Sequence, residues 1–380
     1  MGRSFGFLSY RKRSMWHNLN RYDFIRNFHV DWPMIMGIFV LFCIGSLVLY
    51  SAKLDLMLIQ RQALRVVLAA AIMVIVAQIS PRTFKTWTPW VYFSTLGMLV
   101  LVLVMGHVSK GGQRWLDLGF MRFQPAELMK LAVPLIVARS LDSKILPPTL
   151  TSLIMPTLYI IIPVGLIAVQ PDLGTAVIVA SSGFLVIFFA GISWKLMFSL
   201  GGLGIAAAPV LWFNLREYQR ERIFTLFNPE KDPLGSGYQI IQSKIAIGSG
   251  GVYGKGWLHG TQSSLEFLPE RTTDFVFAVF GEEFGLIGIL VLLTLYILLI
   301  IRGLYIGVQA QDTFCRLVCG SLMLTFFVYV FVNISMVNGI LPVVGIPLPL
   351  ISYGGTSLVT ILASFGIVMS IHGHKILVRK

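Results

Sequence analysis

The chain has 380 residues, of which 56% are hydrophobic and only 12% charged, with a mean hydropathy of +0.79. Soluble globular domains carry about 25% charged residues, so this composition excludes a soluble domain and implies an integral membrane protein. The formal net charge of +13 does not call for nucleic acid, because the Lys and Arg residues flank apolar runs, where they set membrane orientation.

Residues 1–32 form a polar, basic tail. The uncharged run 33–52 is longer than a signal-peptide core and no small-residue cleavage site follows it, so it is expected to remain as a signal anchor. Further apolar runs predict an all-α integral membrane protein of ten transmembrane helices, near 34–51, 63–80, 90–107, 125–141, 153–170, 173–190, 194–214, 274–301, 317–340 and 356–372. The membrane domain is thus 33–373, with a large extracytoplasmic loop at 215–273 between helices 7 and 8 and a C-terminal tail at 374–380. With the N-terminus inside, sixteen Lys and Arg fall on inner segments against six on short outer loops. That bias predicts both termini in the cytoplasm. Cys43, Cys315 and Cys319 suit free thiols and not a disulfide framework.

The loop opens with Glu217–Phe227, which mixes charge with large apolar groups and is expected to lie in the interface as a helix. A helical stretch around Tyr238–Ile247 follows, then a Gly-rich run from Gly248 to Gly260. That run fits neither common phosphate-binding spacing; a mobile gate and an anion nest are equally open. Between the last two helices, Leu341–Gly355 is uncharged but broken by Pro342, Pro347 and Pro349. It cannot be a continuous helix, and a re-entrant loop bordering a cavity is preferred over a plain hairpin.

Ionisable groups at membrane depth are costly, which makes each a functional candidate. Asp274 stands where the long loop meets the eighth helix. It could merely complement a helix N-terminus, but a partly desolvated carboxylate at a cavity lip also suits a general base. Glu127 and Lys130 share a helix face three residues apart, as a self-neutralised pair or a pair facing substrate. Asp172, between two long apolar runs, is a candidate on the same ground, with a helix N-cap as its plainer reading. Arg114, Arg122, Lys244, Lys255 and Arg271 supply positive charge on the outer side suited to a pyrophosphate, although exposed basic groups often bind nothing specific. Glu282 and Glu283 lie two turns beyond Asp274 and stay unassigned, and His372-x-His374 is taken as an interfacial tail. No Walker, H-E-x-x-H or G-x-S-x-G motif is present.

Several segments resemble the SEDS family (shape, elongation, division and sporulation). They are Lys110-Gly-Gly-Gln-Arg-Trp-Leu-Asp117, Arg122-Phe-Gln-Pro-Ala-Glu127, Gln170-Pro-Asp-Leu-Gly-Thr175, Tyr238–Gly250, Gly254–Gln262, Phe267–Phe275 and Pro347–Gly355, and the resemblance runs from about residue 30 to 374. The charged start and short C-terminal tail are more similar to the rod-shape branch than to the division branch. Ala126 stands where many members have Ser.

The resemblance implies a peptidoglycan glycosyltransferase in the bacterial inner membrane, with its active site facing the periplasm. It would polymerise lipid II onto a polyprenyl-pyrophosphate-linked glycan during cell elongation. Its partners would be a class B penicillin-binding transpeptidase and other elongation-complex proteins. The catalytic aspartate would fall on Asp274, with Glu127, Lys130 and Asp172 around the same cavity. Passage from an α-linked pyrophosphate to a β-1,4 bond inverts configuration, so one displacement with one base suffices. Arg and Lys side chains, with or without a divalent cation such as Mg or Mn, would offset the leaving charge. A lipid II flippase or transporter, and a scaffold that only activates a partner, are the rival readings.

Overall fold

Capping residues, more than charge, set where the helices begin. In the computed structural model, which describes residues 29–109, 112–117, 122–214, 217–232, 235–265 and 267–374, Asp31 caps α1 (Trp32–Lys53) by accepting from the Met34 amide at 3.0 Å. Asp55 caps α2 (Leu56–Gln78), and Ser80 with Pro81 opens α3 (Pro81–Met105). The second and third helices therefore begin earlier than expected, because Arg61, Arg65, Arg82 and Lys85 ride within helix ends and do not terminate them. The basic tail expected at 1–32 lies mostly outside the described residues, as do Lys110 and 375–380.

The all-α expectation needs one correction. Between α3 and the next helix the chain forms an antiparallel meander of β1 (His107–Ser109), β2 (Gly112–Asp117) and β3 (Arg122–Phe123), in the order β1-β2-β3. Backbone groups of this connection pair across strands and not within a helix. Then follow α4 (Pro125–Asp142), α5 (Leu150–Val169), α6 (Leu173–Phe189), α7 (Trp194–Asn214), α8 (Glu217–Phe227), α9 (Ser236–Gly250), α10 (Thr261–Ser264), α11 (Val276–Val308), α12 (Thr313–Val337) and α13 (Thr356–Gly373).

Seven of these, α1, α2, α3, α5, α11, α12 and α13, are long and apolar enough to cross a membrane, against the ten expected. For two of the three helices that fall short, α4 and α6, the cause is physical. Helix α4 carries Glu127, Lys130, Arg139 and Asp142, and α6 has only 17 residues. Helices α12 and α13 are mostly buried, whereas α1, α2, α3 and α5 expose most of their apolar surface. The bundle thus has central helices, α4, α6, α12 and α13, wrapped by outer ones; α13 packs along α2, α12 along α6 and α11, and α3 along α4.

Contacts along α1 define two ends of the bundle. At its start, Asp31 receives Arg302 of α11 at 2.6 and 3.2 Å, with His372 of α13 at 3.6 Å. At its finish, Ala52 O accepts from Arg271, and Leu47 O accepts from Trp257. A 22-residue helix is about 33 Å long. The first and last described residues therefore share one end, and the segment leading to Asp274 lies at the other.

Helix α11 is broken at Gly285 (φ 62, ψ −163), and the Gly-rich run closes the break. The Lys255 and Gly256 amides donate to Glu282 O and Glu283 O at 3.0 Å, and the Leu286 and Ile287 amides donate to Gly251 O and Val252 O at 3.0 and 3.1 Å. Backbone groups orphaned by the break are satisfied by this strap. Gly254 (φ +79) lies directly against Glu283 O, where a β-carbon has no room. Buried Glu282 secures the strap: its carboxylate accepts from Lys255 Nζ at 2.7 Å and from the Thr261 amide and hydroxyl at 2.8 and 2.9 Å. Neither the mobile gate nor the anion nest describes this run; it is docked backbone.

Candidate active site

Asp274 occupies the turn before α11, half-buried, and the Pro-rich segment 341–355 packs across it. That segment is non-helical, as its prolines require, and buried at Ile346, Leu348, Leu350 and Ile351. Its polar backbone is satisfied within protein. Tyr296 OH donates to Pro349 O at 2.6 Å, the Tyr353 amide donates to Thr272 O at 2.8 Å, and Ser352 Oγ donates to Thr273 O. Gly345 has φ +75, and a β-carbon there would stand 3.5 Å from Asp274 Oδ2. The acid therefore faces bare backbone.

One cavity adjoins this region, and a second lies among α4, α12 and α13. The first, of about 470 Å³ including its open mouth, is lined by Arg114, Asp172, Gln219, Arg222, Pro342 and Val344 among others. Its floor is the start of α6, where Asp172 caps the helix by accepting from the Thr175 amide at 3.2 Å. The same carboxylate accepts from Gln124 Nε2 at 2.9 Å and has Arg114 at 4.0 Å. Arg114 also donates to Gln170 O and Pro171 O. Asp172 thus both caps α6 and stands in the wall of this cavity, but Glu127 and Lys130, expected around the same cavity, do not line it. The roof is the amphipathic α8, which brings Gln219 and Arg222. Val344, on the wall, immediately precedes Gly345, so the acid and the arginine-lined cavity meet across one backbone segment.

The other cavity, of about 310 Å³, is lined by Lys130, Thr325, Tyr329, Thr360 and Ser364 among apolar neighbours. Here Lys130 Nζ contacts Glu127 Oε1 at 2.7 Å, with both side chains buried. Glu127 Oε2 accepts from Thr360 Oγ1 at 3.1 Å, and Lys130 sits 4.9 Å from the Tyr329 ring centre. The pair is self-neutralised, as the first alternative expects, and Lys130 of the two also lines the cavity.

Of the residues expected to bind substrate, Arg114 and Asp172 come together in the first cavity, and Lys130 lines the second with Glu127 paired to it. Lys244 and Arg271 join neither. Lys244 is exposed beside Gly339, past the end of α12, and Arg271 Nε is committed to Ala52 O at 2.7 Å. Sequence reasoning passed over Gln124, Gln219, Arg222, Asn333 and Thr360. Arg222 was hidden among the charges of α8, whereas Asn333 could have been noticed as the sole amide in an apolar helix whose one charged residue, Arg316, lies in its first turn. Among the described residues no group of three or more His, Cys, Asp or Glu could hold a metal ion. A Mg or Mn ion accompanying a diphosphate would instead draw most ligands from phosphate oxygens and water.

A bundle of apolar helices with a half-buried acid, an internal ion pair and an arginine-lined cavity near one end defines a multi-pass membrane protein built around an intramembrane polar site. Its kinship is specific. The model for the FtsW, RodA and SpoVE family, described as "Cell cycle protein", matches residues 28–376, and the chain belongs to that family. It is 53% identical over 368 residues to peptidoglycan glycosyltransferase MrdB of Escherichia coli strain K12, covering 96% of this chain and all of that one. It is 34% identical over 356 residues to the probable peptidoglycan glycosyltransferase FtsW of Geobacter sulfurreducens, covering 90% and 94%. Among solved structures it is similar to a chain of a peptidoglycan synthase complex studied for the coordination of polymerization and crosslinking (TM-score 0.79, 35% identity, covering 90% and 97%). It is also similar to the rod shape determining protein RodA of Thermus thermophilus (TM-score 0.69, 29% identity, covering 90% and 96%).

Proposed function

We infer that this chain is a peptidoglycan glycosyltransferase that polymerises lipid II during cell elongation, with Asp274 as its base. The full-length likeness to MrdB supports the activity. One observation carries the assignment of roles: Asp274 and the cavity holding Arg114 and Arg222 approach each other from opposite sides of Val344-Gly345. The acceptor 4-hydroxyl gives its proton to the Asp274 carboxylate as its oxygen attacks the anomeric carbon of the donor glycan. The bond from that carbon to the polyprenyl diphosphate breaks with inversion, and the departing charge lies toward Arg114 and Arg222. The apolar walls of the first cavity suit the lipid end of such a diphosphate.

Ten membrane passes fit this reading. Helices α4, α6 and α7 join the seven long apolar helices, because charge tolerated in α4 is neutralised by Glu127 pairing with Lys130. With the basic bias inside, both termini are cytoplasmic and Asp274 faces the periplasm of the inner membrane. A class B transpeptidase and other elongation proteins would dock on this polymerase, as the likeness to the synthase complex suggests.

The test is polymerisation of labelled lipid II by purified protein, alone and with the partner transpeptidase. Asp274→Asn should lose roughly 10²–10⁴ of the rate, the usual contribution of a general base, with its unfolding temperature unchanged. Arg222→Ala should lower turnover while leaving the fold intact, because its side chain is exposed at the cavity roof. Polymer made normally by Asp274→Asn would remove this acid from the mechanism. Lipid II translocated without any polymer, with and without the partner, would favour the flippase.

A further inference from the structure

Asn333 lies on α12, fully buried at 0% exposure, in a stretch otherwise free of amides and charges. Its Nδ2 donates twice, to Asp274 O at 2.9 Å and to Ile346 O at 2.7 Å. Its Oδ1 is buried and accepts no hydrogen bond among the described residues. The neighbouring contacts from the Pro-rich segment reach Thr272 and Thr273, so the amide of Asn333 grips the backbone of Asp274 itself. Ile346 is the next residue after Gly345, whose bare backbone faces Asp274 Oδ2. One side chain from a central helix thus holds both walls of the gap in which the carboxylate sits.

A buried amide with an unused acceptor costs stability, so what this position gains lies in the two bonds its Nδ2 donates. What the amide supplies is geometry. We propose that Asn333 is a positioning residue, fixing the distance between Asp274 and the Val344-Gly345 segment so that the carboxylate is aimed at the acceptor hydroxyl. This rests on Asp274 being the base. The residue touches no substrate and acts through Asp274, so its loss should leave lipid II binding intact and slow the chemical step. Displacing a reacting group by an ångström can cost about a hundredfold in rate.

The experiment compares Asn333→Leu, Asn333→Ala and Asp274→Asn with the parent enzyme in complex with its transpeptidase. It measures kcat, KM for lipid II, the pH dependence of kcat and the unfolding temperature. For Asn333→Leu we expect kcat to fall roughly ten- to hundredfold, KM to stay within about twofold, the acid limb of the pH profile to move, and the protein to remain folded. Asn333→Ala, which cannot overpack the site, should behave alike and serves if the leucine variant does not insert. A folded variant with kcat within about twofold of the parent overturns the proposal. So does a loss of kcat that tracks a falling unfolding temperature with the acid limb unmoved, because that is the mark of a structural role. The two readings separate cleanly: activity in Asp274→Asn refutes the base, whereas an inactive Asp274→Asn beside a fully active Asn333→Leu refutes the positioning alone.

Discussion

Lys130 and Glu127 are each tolerated inside the bundle because the other is there. The pair is buried on both sides, with a Thr360 hydroxyl on the carboxylate and the Tyr329 ring beside the ammonium. Removing one partner leaves an unpaired charge in a low-dielectric interior, which typically costs about 3–5 kcal/mol. Glu127→Gln and Lys130→Met should each lower the unfolding temperature in detergent, and the double variant should recover part of the loss. If the double variant loses as much as the two singles together, mutual neutralisation is not what keeps them there. The pair itself was legible in the sequence, because a three-residue spacing puts both side chains on one helix face. Thr360 was not, since 233 positions separate it from Glu127 and nothing local marks it. The same holds for Arg271: its charge was legible, but its commitment to Ala52 O depends on two segments meeting in space.

Elements with local signals were read well. Helix α8 begins and ends where its mix of charge and large apolar groups does, and α4 starts at Pro125 as a proline in the first turn dictates. The strap was not legible, because it is made of backbone groups pairing across about thirty residues, and glycine content alone cannot distinguish docked backbone from a mobile loop. The break it covers was hidden too, since Gly285 is one of several glycines in an apolar helix and nothing local singles it out. The strap yields a stringent test. Gly254 and Gly285 both have positive φ and no space for a β-carbon, each lying against the other's segment. Gly254→Ala or Gly285→Ala should destabilise by more than about 1 kcal/mol. Gly97→Ala, in α3 with nothing near its α-carbon, should be neutral or gain up to about 1 kcal/mol from helix propensity. Thermal unfolding of the three variants reads both signs, and equal effects at all three would mean that the strap is not docked on the break.

At the scale of the whole molecule, the bundle has a polarity that holds without reference to any membrane. Asp31, Arg302 and His372 tie the first and last described residues at one end, and the Trp257 and Arg271 contacts fasten the loop before Asp274 to the far end of α1. Whichever side holds the end with His29 and His374, the acid is at the opposite end, and a single orientation measurement fixes both. A lipid-linked glycan bound for the cell wall must be extended outside the cytoplasm, so the polymerase reading requires the Asp274 end to face outward. Ile145, 91% exposed between α4 and α5, marks the end with His29 and His374, and Tyr253, 83% exposed on the strap, marks the other. In a background carrying Cys43→Ser, with the buried Cys315 and Cys319 left in place, Tyr253→Cys should react with an impermeant maleimide once the outer membrane is opened. Ile145→Cys should react only after the inner membrane is also breached. The opposite pattern would put Asp274 in the cytoplasm, where it could not add sugars to a glycan outside the cell, and the base, the positioning amide and the diphosphate cavity would all lose their substrate.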